Sequence, residues 1–272
     1  MTRRPGPTVR TRVVELRGEE RLAHEDRLAT EEPLEIRLAW PGAPARRIGV
    51  TMRTPGNDFE LAAGWLVHEQ VVAPAHVTAV RYCTDVDLAP EEEFNVVTVE
   101  SSAAPLRLPE ARLVTAACGV CGTTSIADVA RLAASPAVPA LPVEVIRSLP
   151  DRLRQAQPGF ERTGGLHAAG LFDAAGEPVV VREDVGRHNA VDKVVGSRLL
   201  AGEPVPPVLV LSGRVGFELV QKAAVSGIGL VVAVGAPSSL AVSLAEETGI
   251  AVVGFTRPDR CVVYAGADAL GV

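Results

Sequence analysis

The chain has few cysteines, and this limits how it can be held together. Four cysteines in 272 residues are too few for the disulfide framework of a small secreted domain. No stretch combines the charged start, apolar middle and small-residue cleavage site of a signal peptide. Arg3 and Arg4 precede a Pro-Gly-Pro segment and a polar run, so a twin-arginine export signal is not indicated. We expect a cytoplasmic protein with reduced thiols.

Long apolar runs and an excess of positive charge are also missing. No hydrophobic run reaches the ~20 residues that a membrane helix needs, because Gly, Pro and charged residues interrupt the runs of the second half. The formal net charge is −6, whereas nucleic acids are bound largely through clustered Lys and Arg. We therefore expect no membrane and no nucleic-acid partner, and an anionic ligand would need a local basic pocket.

Apolar patterning predicts a tail followed by one domain of two lobes. Residues 1–22 are polar and are expected to be a disordered tail, and residues 23–272 form the domain. The N-terminal lobe, about 23–145, reads as α+β. It has a strand at Leu34–Ala39 with a hairpin partner in "RRIGVTMRTP", a helix in "NDFELAAGWLVHEQVV" capped by Asn57, and a strand in "FNVVTVE".

The sequence pattern of the second lobe, about 146–272, predicts an α/β architecture. The helix-like stretch "LPVEVIRSLPDRLRQA" joins the lobes, and "GGLHAAGLFDAAGEPVVVRED" forms a hairpin. Strands and helices then alternate, and the strands are unbroken apolar runs that suit burial on both faces. This pattern predicts a mostly parallel sheet with crossover helices.

The loops after the carboxyl ends of these strands carry positive charge. They are "REDVGRHN", "SGRVG", "GAPSS" and "TRPDR". Such loops gather at one edge of an open parallel sheet, where ligands bind, and helix N-termini there suit phosphate. We therefore expect an anion or nucleotide site. Its candidate residues are Arg182, Arg187, His188, Arg214, Ser238, Ser239, Arg257 and Arg260.

The stretch "TAACGVCGTTSI" places Cys118 and Cys121 two residues apart. A CxxC pair can be half of a zinc site, a redox disulfide, a persulfide carrier or only a turn. Zinc is disfavoured because Cys83 and Cys261 are isolated residues, and because the H-x-E or C-x-E motif of a zinc deaminase is absent. A persulfide carrier fits best, since the flanking glycines leave the loop slender and Cys121 precedes a predicted helix that favours a thiolate. Redox and purely structural roles stay open.

Ordered motifs from about Glu31 to Tyr264 resemble the FdhD/NarQ family. They are "EEPLEIRL", "MRTPGNDFELAAGWL", "CGVCGTTSI", "TGGLHAAGLF", "EDVGRHNAVDKVVG", "SGRVGFELVQKA", "APSSLAVSLAEETG" and "VGFTRPDR". The resemblance implies a sulfurtransferase required for formate dehydrogenase activity. It would pass persulfide sulfur from a cysteine desulfurase to the molybdenum of a bis-molybdopterin guanine dinucleotide cofactor before the cofactor is inserted. The implied fold is cytidine deaminase-like, without the deaminase metal, and a homodimer is expected.

The resemblance also assigns residues. Cys118 matches the position that bears the persulfide, and Cys121 matches its companion. The implied cofactor-binding segment is Phe255, Thr256, Arg257, Pro258, Asp259 and Arg260. Asn57 and Gly170 depart from the family pattern, which has His and Ala there. The alternative interpretation is a nucleotide-binding regulatory module whose CxxC pair is a redox switch, and the roles of His167, His188, Cys83 and Cys261 stay open.

Overall fold

A computed structural model describes residues 6–83, 93–108 and 136–272, together with the backbone of 113–114. The strands are β1 Thr8–Arg17, β2 Glu20–Ala29, β3 Glu32–Trp40, β4 Ala43–Arg53, β5 Val77–Tyr82, β6 Val96–Ser101, β7 Leu113–Val114, β8 His167–Phe172, β9 Pro178–Asp184, β10 Val208–Leu211, β11 Leu230–Ala233, β12 Ala251–Gly254 and β13 Val262–Ala265. The helices are α1 Asp58–His68, α2 Val143–Gln155, α3 Pro158–Thr163, α4 Arg187–Ala201, α5 Phe217–Val225, α6 Ser239–Thr248 and α7 Ala267–Leu270. In the described part of the chain, every helix is too short or too polar to cross a bilayer.

The N-terminal lobe is a five-stranded sheet covered by α1. Its strand order is β5-β6-β3-β4-β7, and β3 and β4 form the predicted antiparallel hairpin. Apolar residues of α1, including Leu61 and Leu66, bury against Leu34 and Ile36 of β3. Asn57 stands at the N-cap of α1 but has a left-handed backbone with φ 57° and makes no side-chain cap. The predicted cap by its side chain is therefore wrong.

The C-terminal lobe is a six-stranded mixed sheet covered on both faces. Its strand order is β13-β12-β11-β10-β8-β9, and every residue of the three parallel strands β10, β11 and β12 is buried. α4, α5 and α6 pack on one face, and α2 packs on the other. The α/β class with a mixed sheet is confirmed.

Parallel pairing is more restricted than the apolar runs predict. β8 pairs antiparallel with both β9 and β10, and β13 pairs antiparallel with β12. The expectation of a mostly parallel sheet is therefore wrong. The short turn of the predicted β8–β9 hairpin can join only antiparallel strands, which accounts for that pair.

The two lobes meet through the backbones of α1 and α4. A Cβ atom added to Gly64 would overlap the carbonyl of Asp192, and one added to Gly196 would overlap the carbonyl of Glu60. Arg182 of β9 donates two hydrogen bonds to the Glu60 carboxylate, at 2.6 and 2.7 Å. The glycines therefore allow a helix contact that any larger residue would push apart.

We expect Gly196→Ala to lower the free energy of unfolding by roughly 1–3 kcal/mol or more, because overpacking against backbone has little room to relax. Thermal or urea unfolding measures the loss. Leu200→Ala is the matched control, since Leu200 lies on the same helix and is 41% exposed. If both variants unfold like the parent chain, the close α1–α4 contact is not what the structure indicates.

The N-terminal segment departs from its prediction. β1 and β2 pair in continuous antiparallel register from Thr8↔Ala29 to Arg17↔Glu20, so the expected disordered tail over residues 1–22 is wrong from residue 8 onward. Gly18, with φ 58°, starts the tight turn between the strands, as left-handed hairpin turns require. Frequent charged residues hide the strand pattern in the sequence, although some of them pair across the ribbon, as Arg10 and Glu25 do at 3.5 Å.

Candidate functional site

A cavity of about 530 Å³ lies at the carboxyl edge of the six-stranded sheet. Its volume is within the roughly 300–1,000 Å³ typical of small-molecule sites. Each of the four loops that follow β9, β10, β11 and β12 contributes to its lining. The residues are Val185, Ser212, Val234 and Thr256. The edge predicted from topology is thus where the structure has its cavity.

The segment after β12 enters the cavity through an unusual backbone turn. Phe255 has φ 48°, a left-handed conformation that is rare for a bulky residue and clusters at functional sites. Thr256 follows and is fully buried, and its Oγ1 atom has no hydrogen-bond partner in the part of the chain that the structure describes. Arg257 and Arg260 then close a turn through two backbone hydrogen bonds of 2.8 and 3.3 Å. The turn therefore places Thr256 and its hydroxyl group in the wall of the cavity.

Three of the six residues of the predicted cofactor segment line the cavity, and three do not. Thr256, Arg257 and Pro258 line the cavity, whereas Phe255, Asp259 and Arg260 are exposed and are not among the lining residues. Arg257 Nη1 donates to the carbonyls of Val234, at 2.9 Å, and Thr256, at 2.8 Å. These bonds hold the exposed guanidinium at the rim, and its other N–H groups make no hydrogen bond with residues 6–83, 93–108 or 136–272.

Two other residues predicted at this edge, Arg182 and Ser238, have structural partners. Arg182 pairs with Glu60 at the lobe junction, and that hydrogen bond raises the pKa of Arg182. Ser238 caps α6 by accepting a hydrogen bond from the backbone N–H of Ala241 at 3.3 Å. Neither residue faces the cavity, nor do the candidates Arg187, His188, Arg214 and Ser239. The predicted concentration of cationic side chains is therefore smaller than the loops indicate.

A buried polar network ties the N-terminal lobe to the cavity edge. Asp184, the last residue of β9, is fully buried. It pairs with Lys193 at 2.7 Å and accepts hydrogen bonds from Asn189 and from the backbone N–H of Thr54. Thr51 Oγ1 donates to Asn189 Oδ1 at 3.3 Å. The ion pair and these bonds account for Asp184 as a structural residue.

The same network meets both the cavity and the strand that precedes the cysteine pair. Asp184 is the register partner of His167, which lines the cavity. On the other side, Thr51 is the register partner of Val114, which ends β7. Val114 is the last described residue before Cys118, and it therefore lies beside the network that borders the cavity.

The predicted persulfide carrier Cys118 and its companion Cys121 lie outside the described residues. Of the other two cysteines, Cys83 is buried and accepts a hydrogen bond from Arg37 Nη1 at 3.6 Å, and Cys261 is partly buried. Within the described ranges, no three His, Cys, Asp or Glu side chains are grouped so that they could hold a metal ion.

Two histidines near the edge have lowered pKa values. Burial and the nearby charge of Arg187 lower the pKa of His167. Burial, followed by the charges of Lys222 and Arg187, lowers the pKa of His188 to about 4. The pKa shift favours a neutral His167 in the cavity wall at pH 7, where it can donate one hydrogen bond and accept another. His188 does not line the cavity and lies 3.7 Å from the Glu218 carboxylate.

A second part of the cavity wall has no counterpart among the residues predicted from sequence. It is formed by the α2–α3 corner, to which the sequence analysis assigned only a joining role. Arg154 lies over the Phe160 ring, 4.3 Å from its centroid, and both line the cavity with Asp151 and Gln157. The apolar pattern of α2 indicates that one face packs on the sheet, but no local signal says which end of the sheet the helix reaches.

The sequence profile of the FdhD/NarQ family matches residues 29–270. The chain belongs to the FdhD/NarQ family. Among its FdhD relatives, the sulfur carrier protein FdhD of Streptomyces coelicolor is 47% identical, and the alignment covers 97% of this chain and 96% of the relative. The sulfur carrier protein FdhD of Nocardia farcinica is 46% identical, with coverage of 97% and 95%.

The FdhD/NarQ assignment extends to three-dimensional structure. A crystal structure from Desulfotalea psychrophila, of a protein described as a formate dehydrogenase accessory protein, is similar with a TM-score of 0.77 and 26% sequence identity. The match covers 97% of this chain and 99% of that protein. The family resemblance carried by the sequence motifs is confirmed, and the fold extends over nearly the whole of both chains.

Proposed function

We propose that this protein is a sulfurtransferase that takes persulfide sulfur from a cysteine desulfurase and passes it to the molybdenum of a bis-molybdopterin guanine dinucleotide cofactor, before that cofactor enters formate dehydrogenase. Cys118 carries the sulfur, and Cys121 is its companion. Support comes from family membership and from relatives that are named sulfur carrier proteins. The structural neighbour, described as a formate dehydrogenase accessory protein, agrees with the proposed recipient.

The observation that carries the proposal is the convergence of two parts of the chain on one network. Thr51 links Val114, at the end of β7, through Asn189 and Asp184 to the cavity edge. The described chain before the cysteine pair therefore ends beside the network that borders the cavity, and the persulfide would deliver its sulfur to an acceptor bound in that cavity.

The chemistry of the cavity fits a guanine nucleotide portion of the acceptor. Arg257 offers a cation at the rim, and a charge-assisted contact to phosphate is among the stronger hydrogen bonds. Thr256 Oγ1 is buried and has no hydrogen-bond partner among the described residues, and a bound ligand would supply one. The metal of the acceptor supplies the site at which the sulfur is finally bound. The chain binds and orients the nucleotide portion.

The proposal is tested by incubating the full chain with a cysteine desulfurase and cysteine and then measuring its mass. We expect a gain of one sulfur atom that is lost in Cys118→Ala and kept in Cys261→Ala, the matched control for a partly buried thiol. A gain that survives Cys118→Ala would move the carrier elsewhere. Formation of a disulfide without any sulfur gain would favour the redox-switch alternative.

A further inference from the structure

Three side chains form a buried chain of hydrogen bonds across the junction of the two lobes. His68 ends α1, is 1% exposed, and its Nδ1 atom is hydrogen-bonded to Asp192 Oδ1 of α4. Its Nε2 atom lies 2.8 Å from the hydroxyl oxygen of Ser226, which follows α5. An ionised carboxylate only accepts hydrogen bonds, so Nδ1 carries the proton and Nε2 accepts from the hydroxyl group. In its neutral form, His68 therefore ties α1 to both α4 and α5.

The order of these side chains is that of a serine hydrolase triad, but two features argue against that chemistry. Lys222 Nζ donates to the same Asp192 oxygen at 2.6 Å, so the carboxylate is already neutralised by a lysine. The backbone N–H groups of Ser226, Gly227 and Ile228 all donate to carbonyls of α5, so none of them is left to stabilise an oxyanion. The hydrogen bonds of His68 are therefore explained by the junction itself.

The charges around His68 balance only while its ring is neutral. Asp192 and Lys222 form an ion pair of 2.6 Å, and both residues are buried. A protonated His68 would add a second cation to a pair that holds one carboxylate. Glu69, the other carboxylate that acts on the ring, is partly exposed and lies 3.5 Å from Arg107. The added charge would therefore be buried and uncompensated, which is strongly destabilising.

The direction of the pH effect follows from the same contacts. Burial lowers the pKa of His68 below its ordinary value of 6.5, the hydrogen bond to Asp192 opposes this shift, and the charge of Lys222 adds to it. The unfolded chain therefore binds more protons than the folded chain just below pH 6.5. Stability from this group is fully present above pH 6.5 and is lost as the pH falls toward the folded pKa.

We propose that His68 is an acid-sensitive lock between the lobes, whose neutral ring holds α1 against α4 and α5 and whose protonation releases that contact. The close approach of Gly64 to the Asp192 carbonyl lies one turn earlier on α1, so release at His68 loosens the same helix contact. The inference is independent of the proposed sulfur transfer, because the lock uses neither the cysteine pair nor a residue of the cavity wall.

Urea unfolding of the full chain at pH 7.5 and pH 5.5 tests the lock. Tryptophan fluorescence is the signal, since Trp40 and Trp65 both lie in the N-terminal lobe. We expect acidification to raise the unfolding constant of the wild type by up to about tenfold more than that of His68→Asn. Asparagine keeps a donor for Asp192 and has no group that titrates in this range. His24→Asn is the matched control, because His24 is exposed on β2, and it should keep the wild-type dependence.

Lys222→Gln changes the response in a second way. Without the competing cation, a protonated His68 pairs with Asp192 alone, and an opposite charge favours the protonated form. The wild-type loss on acidification should therefore disappear or reverse. A wild-type pH dependence in either His68→Asn or Lys222→Gln would overturn the lock.

Hydrogen exchange on the wild type needs no variant to fold. After correction for the intrinsic effect of pH, α1 should lose protection at pH 5.5 while the buried strands β10, β11 and β12 keep theirs. Equal loss of protection in α1 and in these strands would mean that acid destabilises the whole chain, and it would overturn release at the junction. Unchanged protection of α1 would overturn it as well.

Discussion

Replacing Cys118 by alanine is expected to abolish the activation of formate dehydrogenase. The expected loss is complete because Cys118 is the proposed persulfide carrier, and because a thiolate is the nucleophile that accepts sulfur. The measurement is formate dehydrogenase activity in cells that lack their own copy of this gene and express the variant from a plasmid. Western blotting of the variant confirms that it accumulates normally.

Two further cysteine variants define what the loss means. Cys261→Ala removes a partly buried thiol outside the motif and should keep activation, so it controls for the loss of any cysteine. Cys121→Ala tests the companion cysteine. Full activation by Cys118→Ala together with a loss in Cys121→Ala would exchange the two roles, and activation by both variants would rule out a persulfide on either residue.

The parts of the fold that the sequence predicted are those specified by local patterns. α4, α5 and α6 confirm the predicted alternation of helices with strands, and the buried strands β10, β11 and β12 match unbroken apolar runs. The order of these strands also predicted the position of the cavity, because the loops that follow successive parallel strands lie at the same edge of the sheet. The N-terminal ribbon could not be recognised in this way, because an exposed hairpin has no buried face to impose a clear apolar alternation.

The sequence predicted which edge of the sheet has the cavity, but it did not predict which residues line that cavity. Loop position brings a residue to the edge, whereas the direction of its side chain depends on partners far away in sequence. Arg182 turns to Glu60, 122 positions away, because a partly buried guanidinium is stabilised by a bidentate carboxylate. Gln157 and Asp151 reach the cavity only because α2 packs on the opposite face of the sheet. Such contacts have no local sequence signal.

The cation at the cavity rim should dominate nucleotide binding. Arg257 is expected to contribute most among the arginines of the last loop, because it lines the cavity and its Nη1 is already positioned by the Val234 and Thr256 carbonyls. A guanidinium held in this way loses less conformational freedom when it binds phosphate. Arg260 is exposed in the same turn but is not among the lining residues, so its contribution should be smaller.

Arg257→Ala should therefore weaken GDP binding by roughly ten- to a hundredfold, since a charge-assisted hydrogen bond contributes ~1.5–3 kcal/mol. Calorimetry measures the change, and the wild-type affinity should fall as salt is added, because an exposed guanidinium is screened. Arg214→Ala is the matched control, since Arg214 is an exposed arginine after β10 that does not line the cavity. Equal losses in Arg257→Ala and Arg214→Ala would mean that only the general charge of this edge attracts the nucleotide. An unchanged affinity in Arg257→Ala would exclude a phosphate contact at the rim and would require the nucleotide to bind in another orientation or elsewhere.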